Sequence, residues 1–164
     1  MIYDPYRDEI FTAVKGEGAF LNGRPIACDT SVATLQRALL TIEVGYERST
    51  EGISAMVGGI DRLLTRNIQS LRILGSTVLC LAWVACGRAN AFAVGVHNEG
   101  GKPWDYCAGF VVAEEAGVVF RRLDGRSYGS HVDAGGTFDI YSKSCVCAGT
   151  AALADEIVRV LKRE

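Results

Sequence analysis

The sequence predicts a layered α/β fold, and three observations support this assignment. From Ala38 onward, short apolar segments and helix-like segments follow the order strand, helix, strand, helix, strand, helix, strand, strand, helix, which is typical of a sheet covered by helices. The chain has 164 residues, enough for one domain with a substantial core. Hydrophobic residues make up 49% and charged residues 22%, which excludes a disordered chain.

The first 26 residues have a β pattern of their own. Residues 8–15 alternate and are rich in β-forming side chains, and Gly16-Glu17-Gly18 predicts a turn into a short apolar run. Asn22-Gly23 is a second turn signal behind that run. We therefore predict a β-hairpin in this segment, ahead of the layered α/β part of the chain.

The other elements are predicted from apolar runs and from the residues that bound them. We expect strands at 38–41, 68–73, 91–96, 118–120 and 146–148, and helices at 50–66, 75–87, 105–117 and 151–162. Ser76 is the predicted N-cap of the second helix, and Gly87 is the residue expected just after its end. That helix is apolar nearly all round, which predicts that it is buried.

Charge and hydropathy exclude several classes of partner. Seventeen basic and nineteen acidic residues give a net charge of −2, so no broad positive field is available for nucleic acid or anionic lipid. The longest apolar run, 78–85, is far shorter than the roughly 20 residues that span a bilayer. The N-terminus has no secretory pattern, and none of the six cysteines forms a C-x-x-C pair. We expect a cytoplasmic protein with reduced, buried thiols and no nucleic-acid or membrane partner.

Two predicted helix starts, 75–77 and 102–105, carry most of the chemical information. Helices that follow strands in an α/β sheet begin at a common edge, so we expect Gly75, Ser76 and Thr77 to face the same cleft as Asp105. The N–H groups at such a start suit hydroxyl-rich or anionic ligands, and an aspartate there can hold a hard cation. The alternative is that Ser76 and Asp105 are only helix caps and Gly75 only a turn residue.

Glu99 lies in a glycine-containing loop shortly before Asp105. Two carboxylates this close could share a metal ion or divide the roles of acid and base, whereas a solvated loop glutamate is the alternative. The nucleotide-binding patterns G-x-x-x-x-G-K-[ST] and G-x-G-x-x-G do not occur at a junction from strand to helix. The sequence therefore does not predict a nucleotide-binding fold.

The run W-D-Y-C-A-G-F-V-V-A-E-E-A-G at 104–117 resembles the second signature of the inositol monophosphatase family, W-D-x-A-A-G followed by E-A-G. Segments 3–5, 11–23 and 72–91 resemble the family in the same order, so the resemblance covers nearly the whole chain. The first signature of the family, D-P-x-D-G-T, and the glutamate upstream of it do not occur here. The chain thus resembles the C-terminal portion of such an enzyme. The resemblance implies a residual β-hairpin of the N-terminal sheet over 1–26 and a C-terminal α/β domain with a mixed sheet over 27–164.

The resemblance implies a layered sandwich of the sugar-phosphatase type and a Mg²⁺-dependent, lithium-sensitive phosphomonoesterase that acts as a homodimer. The implied substrate is a small phosphorylated polyol such as inositol monophosphate. By position, Asp105 would be a metal ligand that also touches substrate, and Gly75, Ser76 and Thr77 would line the polyol. The family has a substrate-binding glutamate a fixed step before W-D, and Glu99 is the acid nearest to that step here.

Two alternatives stay open. The first is a sister phosphatase that acts on histidinol phosphate, a sugar bisphosphate or a 3′-phosphonucleotide. The second is a non-catalytic folded fragment or partner-binding domain. Because the resemblance leaves Asp105 as the one matched metal ligand, with Glu99 an uncertain second, we expect the isolated chain to hydrolyse phosphate esters poorly or not at all.

Overall fold

A computed structural model describes residues 1–97, 100–123, 127–128, 139–142 and 144–162. The strands in this part of the chain are β1 (Ile2–Asp4), β2 (Glu9–Ala13), β3 (Ala19–Leu21), β4 (Arg24–Ile26), β5 (Leu39–Ile42), β6 (Ser70–Ile73), β7 (Ala91–Val94), β8 (Val119–Arg121), β9 (Ser127–Tyr128) and β10 (Cys145–Ala148). The helices are α1 (Thr50–Thr65), α2 (Thr77–Ala85), α3 (Pro103–Glu115) and α4 (Ala151–Leu161), with a short 3-10 helix at Leu35–Arg37.

The N-terminal segment forms a four-stranded antiparallel sheet in the order β1-β2-β3-β4. The predicted hairpin is the β2–β3 pair, and the second turn signal leads into β4. The sheet has two strands more than the predicted hairpin. Strands β1 and β4 have three residues each, too few to show an alternating pattern of apolar and polar side chains. Ile2, Phe11 and Ala19 of this sheet share one hydrophobic core with α2 and α3, and the division of the chain at residue 26 stays a prediction.

The second sheet is mixed, as the resemblance implies, with the order β6-β5-β7-β10-β8-β9. Strand β5 pairs in parallel with β6 and with β7, so that Leu40 lies opposite Leu71 on one side and Ala91 on the other. Strands β10, β8 and β9 continue the sheet in antiparallel pairs. Each predicted strand and helix of this domain is present, with ends that differ by a few residues.

The elements stack in four layers. Helices α1 and α4 cover one face of the mixed sheet, where Leu63 and Ile157 pack with Ala91 and Ala93. Helices α2 and α3 cover the other face, where they pack against Phe92. Phe92 lies between Ala91 and Ala93 in β7, so its side chain points to the opposite face. Their far side contacts β1, β2 and β3 of the N-terminal sheet. Helix α2 therefore lies between two sheets, which explains its nearly continuous apolar sequence and confirms that it is buried.

The parallel strands bring three chain segments to one edge of the mixed sheet. Strands β5, β6 and β7 run in the same direction and end at Ile42, Ile73 and Val94. Helix α1 follows β5 on one face, whereas α2 follows β6 on the opposite face. An edge where successive helices leave to opposite faces is a common place for a ligand-binding crevice.

Candidate functional site

A cleft of about 780 Å³ opens at this edge of the sheet. Its lining comes from the segment after β5, the turn before α2 and the loop that leads into α3: Glu43, Val44, Gly45, Tyr46, Glu47, Ile73, Gly75, Ser76, Thr77, Gly100, Gly101, Lys102, Trp104 and Asp105. The expectation that Gly75, Ser76 and Thr77 share a cleft with Asp105 is confirmed. Glu99 lies outside the described residues.

The start of α2 is built by Gly75 and Ser76. Gly75 has a φ of +89°, a backbone conformation that favours glycine because other residues meet a steric penalty there. Ser76 is the N-cap, and its hydroxyl oxygen accepts a hydrogen bond of 3.4 Å from the Leu79 N–H. The predicted cap is therefore correct, and it coexists with a position on the cleft wall.

Glu43, which the sequence analysis did not select, fixes the same turn from the neighbouring strand. Its Oε1 accepts a hydrogen bond of 2.7 Å from the Gly75 N–H and a longer one of 3.3 Å from the Leu74 N–H. The Cys80 thiol donates to the same oxygen at 3.6 Å. An acidic residue directly after a buried parallel strand was the available signal, because such a residue must lie at the ligand-binding edge.

Asp105 is the third residue of α3, which begins at Pro103 and not at Asp105 as predicted. Its Oδ2 accepts a hydrogen bond of 2.8 Å from the Lys102 N–H, so the carboxylate closes the first turn of the helix. Asp105 is half-buried and lies on the cleft wall. The capping role and a role toward a ligand are therefore compatible, since one hydrogen bond leaves further lone pairs on the carboxylate.

Gly101 brings the two helix starts close together. Its N–H donates to the hydroxyl of the fully buried Tyr106 at 3.0 Å. A Cβ atom at this position would lie 2.9 Å from Cγ2 of Thr77 and 3.1 Å from Cζ of Tyr106. A larger residue would push the loop away from α2, so glycine here lets the loop before Asp105 pack directly on the first turn of α2.

Acidic side chains outnumber basic ones on the cleft wall. Glu43, Glu47 and Asp105 face a single described cation, Lys102. A hydrogen bond from the Ser49 N–H to Glu47 holds the pKa of that carboxyl below its ordinary value. The cleft as described therefore favours a cation or a hydroxyl-rich ligand over a bare anion.

The described residues do not complete a metal site. Within them, no three side chains of the types His, Cys, Asp and Glu come together in a group that could hold an ion. Asp105 contributes one carboxylate, and one of its oxygens already accepts the Lys102 N–H. A Mg²⁺ ion bound by one carboxylate would keep most of its waters and be held weakly.

Comparison with known proteins gives consistent results over the whole chain. The profile of the inositol monophosphatase family matches residues 1–164. The chain is 36% identical to inositol monophosphatase of Dictyostelium discoideum over 161 residues, which are 98% of this chain and 53% of that protein. Inositol monophosphatase 3 of Solanum lycopersicum is 38% identical over 162 residues, again 98% of this chain and 54% of the relative. The chain thus spans about half the length of the curated relatives it matches.

Solved structures agree with the layered fold. The inositol monophosphatase structure from Anabaena (Nostoc) superposes with a TM-score of 0.73 at 29% identity, and the match covers 98% of this chain and 56% of that one. The Thermotoga maritima IMPase structure gives a TM-score of 0.74 at 27% identity, with 97% and 53% covered. No helix in the described ranges is long and apolar enough to cross a membrane. This chain belongs to the inositol monophosphatase family.

Proposed function

We propose that this chain forms the polyol-binding part of a phosphomonoesterase that hydrolyses inositol monophosphate or a related small phosphate. One observation carries the proposal: the start of α2 and the Asp105 carboxylate open into one cleft at the carboxyl edge of the parallel strands. Ser76 and Thr77 would contact substrate hydroxyl groups. Gly75 would contribute through its Cα and carbonyl group, because its N–H is already bound to Glu43.

Asp105 is the proposed ligand for the metal ion on which this family generally depends, and we infer that the ion is Mg²⁺. A metal of this kind neutralises developing charge on phosphate oxygens and activates a bound water. Because the described residues do not complete its site, the remaining ligands must come from elsewhere in the protein, and we assign no reaction step to the ion. The same proposal includes Glu99 as a substrate-binding residue. It also includes inhibition by lithium, assembly as a homodimer and a cytoplasmic location.

The experiment measures release of inorganic phosphate from inositol monophosphate in millimolar Mg²⁺. The isolated chain is compared with a chimera in which the part of the Dictyostelium relative that this chain does not match precedes Met1. We expect turnover by the chimera, inhibition by lithium, and background rates for the isolated chain. Asp105→Asn should reduce turnover by the chimera at least a hundredfold, since it removes a charged metal ligand.

A matched control is Asp61→Asn, which removes one carboxylate from α1 on the other face of the mixed sheet. This variant should keep the turnover of the chimera within about twofold, because exposed surface carboxylates contribute little to a distant site. Robust, lithium-sensitive turnover by the isolated chain, abolished by Asp105→Asn, would contradict the expectation that other ligands are needed.

The other functions are separated by the choice of substrate. A panel of histidinol phosphate, sugar bisphosphates and 3′-phosphonucleotides tests the sister phosphatases on the same chimera. Activity on one of these and not on inositol monophosphate would replace the proposed substrate. A folded chimera that releases no phosphate from any of them would favour the non-catalytic, partner-binding alternative.

A further inference from the structure

Glu43 places a carboxylate directly at the start of α2. It follows β5, is half-buried, and reaches across to the next strand connection, where its Oε1 lies 2.7 Å from the Gly75 nitrogen. The same oxygen also accepts from the Leu74 N–H at 3.3 Å. The two N–H groups that precede the cap are therefore already occupied by an anion that belongs to the protein.

This contact changes what the α2 end of the cleft can bind. A free helix N-terminus attracts phosphate, because its N–H groups are unpaired and its dipole presents partial positive charge. Here the Glu43 carboxylate takes up two adjacent donors and offsets that charge. A second anion would meet repulsion at this position, whereas an uncharged hydroxyl group could still bind the N–H groups of Ser76 and Thr77.

We propose that Glu43 determines specificity in the proposed substrate site by making the α2 end of the cleft accept uncharged hydroxyl groups and exclude phosphate. The inference rests on the proposed function, since it assigns the polyol end of the substrate to α2. It thereby fixes the direction in which a phosphorylated polyol lies, with its phosphate group away from α2 and toward the rest of the cleft.

The test compares two variants that each remove one negative charge from the cleft. Glu43→Gln keeps an oxygen that can accept from Gly75 and Leu74 but loses the charge. Glu47→Gln removes a charge from the same wall, where the carboxylate accepts from the Ser49 N–H and does not contact the α2 turn. Inorganic phosphate is titrated into each isotopically labelled chain, and the amide NMR signals of Ser76, Thr77 and Val78 are followed.

We expect phosphate to bind weakly at these amides, with the same dissociation constant, in the wild-type chain and after Glu47→Gln. After Glu43→Gln, phosphate should bind there about five- to thirtyfold more tightly than in the wild type, which is the range for a charge at a half-buried helix end. Titration with myo-inositol should shift the same signals equally in the wild type and Glu43→Gln. Slow hydrogen exchange of the Gly75 and Leu74 amides in both chains verifies that their hydrogen bonds, and with them the turn, survive the substitution.

Two results would overturn the inference. Equal tightening by both variants would mean that only the net charge of the cleft matters, and equal phosphate affinity in the wild type and Glu43→Gln would mean that Glu43 excludes nothing. Failure of the proposed function is a separate result. In that case the chimera releases no phosphate, while the binding of inositol and the gain of phosphate binding in Glu43→Gln are still measured on the isolated chain.

Discussion

Glu43, Asp105 and Glu115 each use a carboxylate to bind backbone N–H groups. The clearest case is Glu115, whose Oε1 accepts from the Gly16 N–H at 2.8 Å and whose Oε2 accepts from the Gly18 N–H at 2.9 Å. The end of α3 is thereby tied to the β2–β3 turn of the N-terminal sheet. The sequence alone does not reveal this contact, because the two donors lie about a hundred positions away in the chain.

Replacing Glu115 should therefore destabilise the fold by more than an ordinary surface substitution. Glu115→Ala removes two charge-assisted hydrogen bonds, and we expect a loss of about 1–2 kcal/mol in the free energy of unfolding, since the contact is partly exposed. Glu17→Ala, in the same turn, is the control and should cost less than about 0.5 kcal/mol. Urea unfolding measures both, and equal effects of the two variants would contradict the proposed tie.

The six cysteines are free thiols in the structure, as predicted, although Cys107 is exposed and not buried. We expect a thiol reagent at pH 8 to modify Cys107 first, because the buried thiols are inaccessible and burial raises the pKa of Cys80 to about 12. Unfolding under non-reducing conditions should reveal six reactive groups. Cys107→Ser is the control. It should abolish the rapid modification by the reagent and leave the slower reaction of the other thiols unchanged.

Stability should also fall as the solution becomes strongly alkaline. The unfolded Cys80 thiol loses its proton near its ordinary pKa of 9.0, whereas the folded thiol keeps it up to about 12. Between these values the unfolded state binds fewer protons than the folded state, so the free energy of unfolding decreases as pH rises. Cys80→Ala should reduce the slope by up to about 1.4 kcal/mol per pH unit, and an unchanged slope would exclude this cause.

Pairs of elements approach each other through small residues, and the best example is the contact between α2 and α3. Gly109 of α3 faces Leu81 of α2, and a Cβ atom at Gly109 would lie 2.5 Å from Cδ1 and 3.3 Å from Cβ of Leu81. Leu81 is fully buried between the two sheets and has little room to move. The short helix spacing therefore depends on glycine at this point.

Gly109→Ala and Gly58→Ala should change stability in opposite directions. In α3 the added methyl group meets buried Leu81, and overpacking should cost about 1–3 kcal/mol in spite of the better helix propensity of alanine. In α1 the added methyl group meets a single atom, Nη1 of Arg62, 3.3 Å away. The better helix propensity of alanine should outweigh a slight displacement of that atom, so Gly58→Ala should stabilise by up to about 1 kcal/mol. Thermal unfolding of the two variants gives the comparison, and two shifts of the same sign would refute it.

At the scale of the whole molecule, periodicity and caps were sufficient to predict the alternating elements and the shared position of Ser76 and Asp105, whereas the mixed sheet was expected from the family resemblance. Local patterns are enough to predict these elements, because the spacing of apolar residues within a segment indicates which of its faces is buried. The contacts of Glu43 and Glu115 were not predictable in this way. Their partners are brought together by strand order and layer packing, which short-range patterns do not encode.

The outer face of the N-terminal sheet exposes apolar side chains in the described part of the molecule. Strand β1 lies at one edge of this sheet. Tyr3, Ile10 and Val14, with exposures of 52%, 40% and 59%, are apolar side chains exposed on β1, on β2 and just after β2. A sheet with an open edge and an apolar face readily pairs with another chain.

The isolated chain should therefore associate with itself through this sheet as its concentration rises. Val14→Glu combined with Ile10→Glu places charges on the apolar face, and we expect association to weaken at least tenfold, which is about 1.4 kcal/mol. Val57→Glu combined with Leu64→Glu on α1 is the matched control, because it adds the same two charges at positions that are each 58% exposed. Sedimentation velocity over a range of concentrations measures the effect. Equal weakening by both double variants would mean that the association does not depend on the N-terminal sheet.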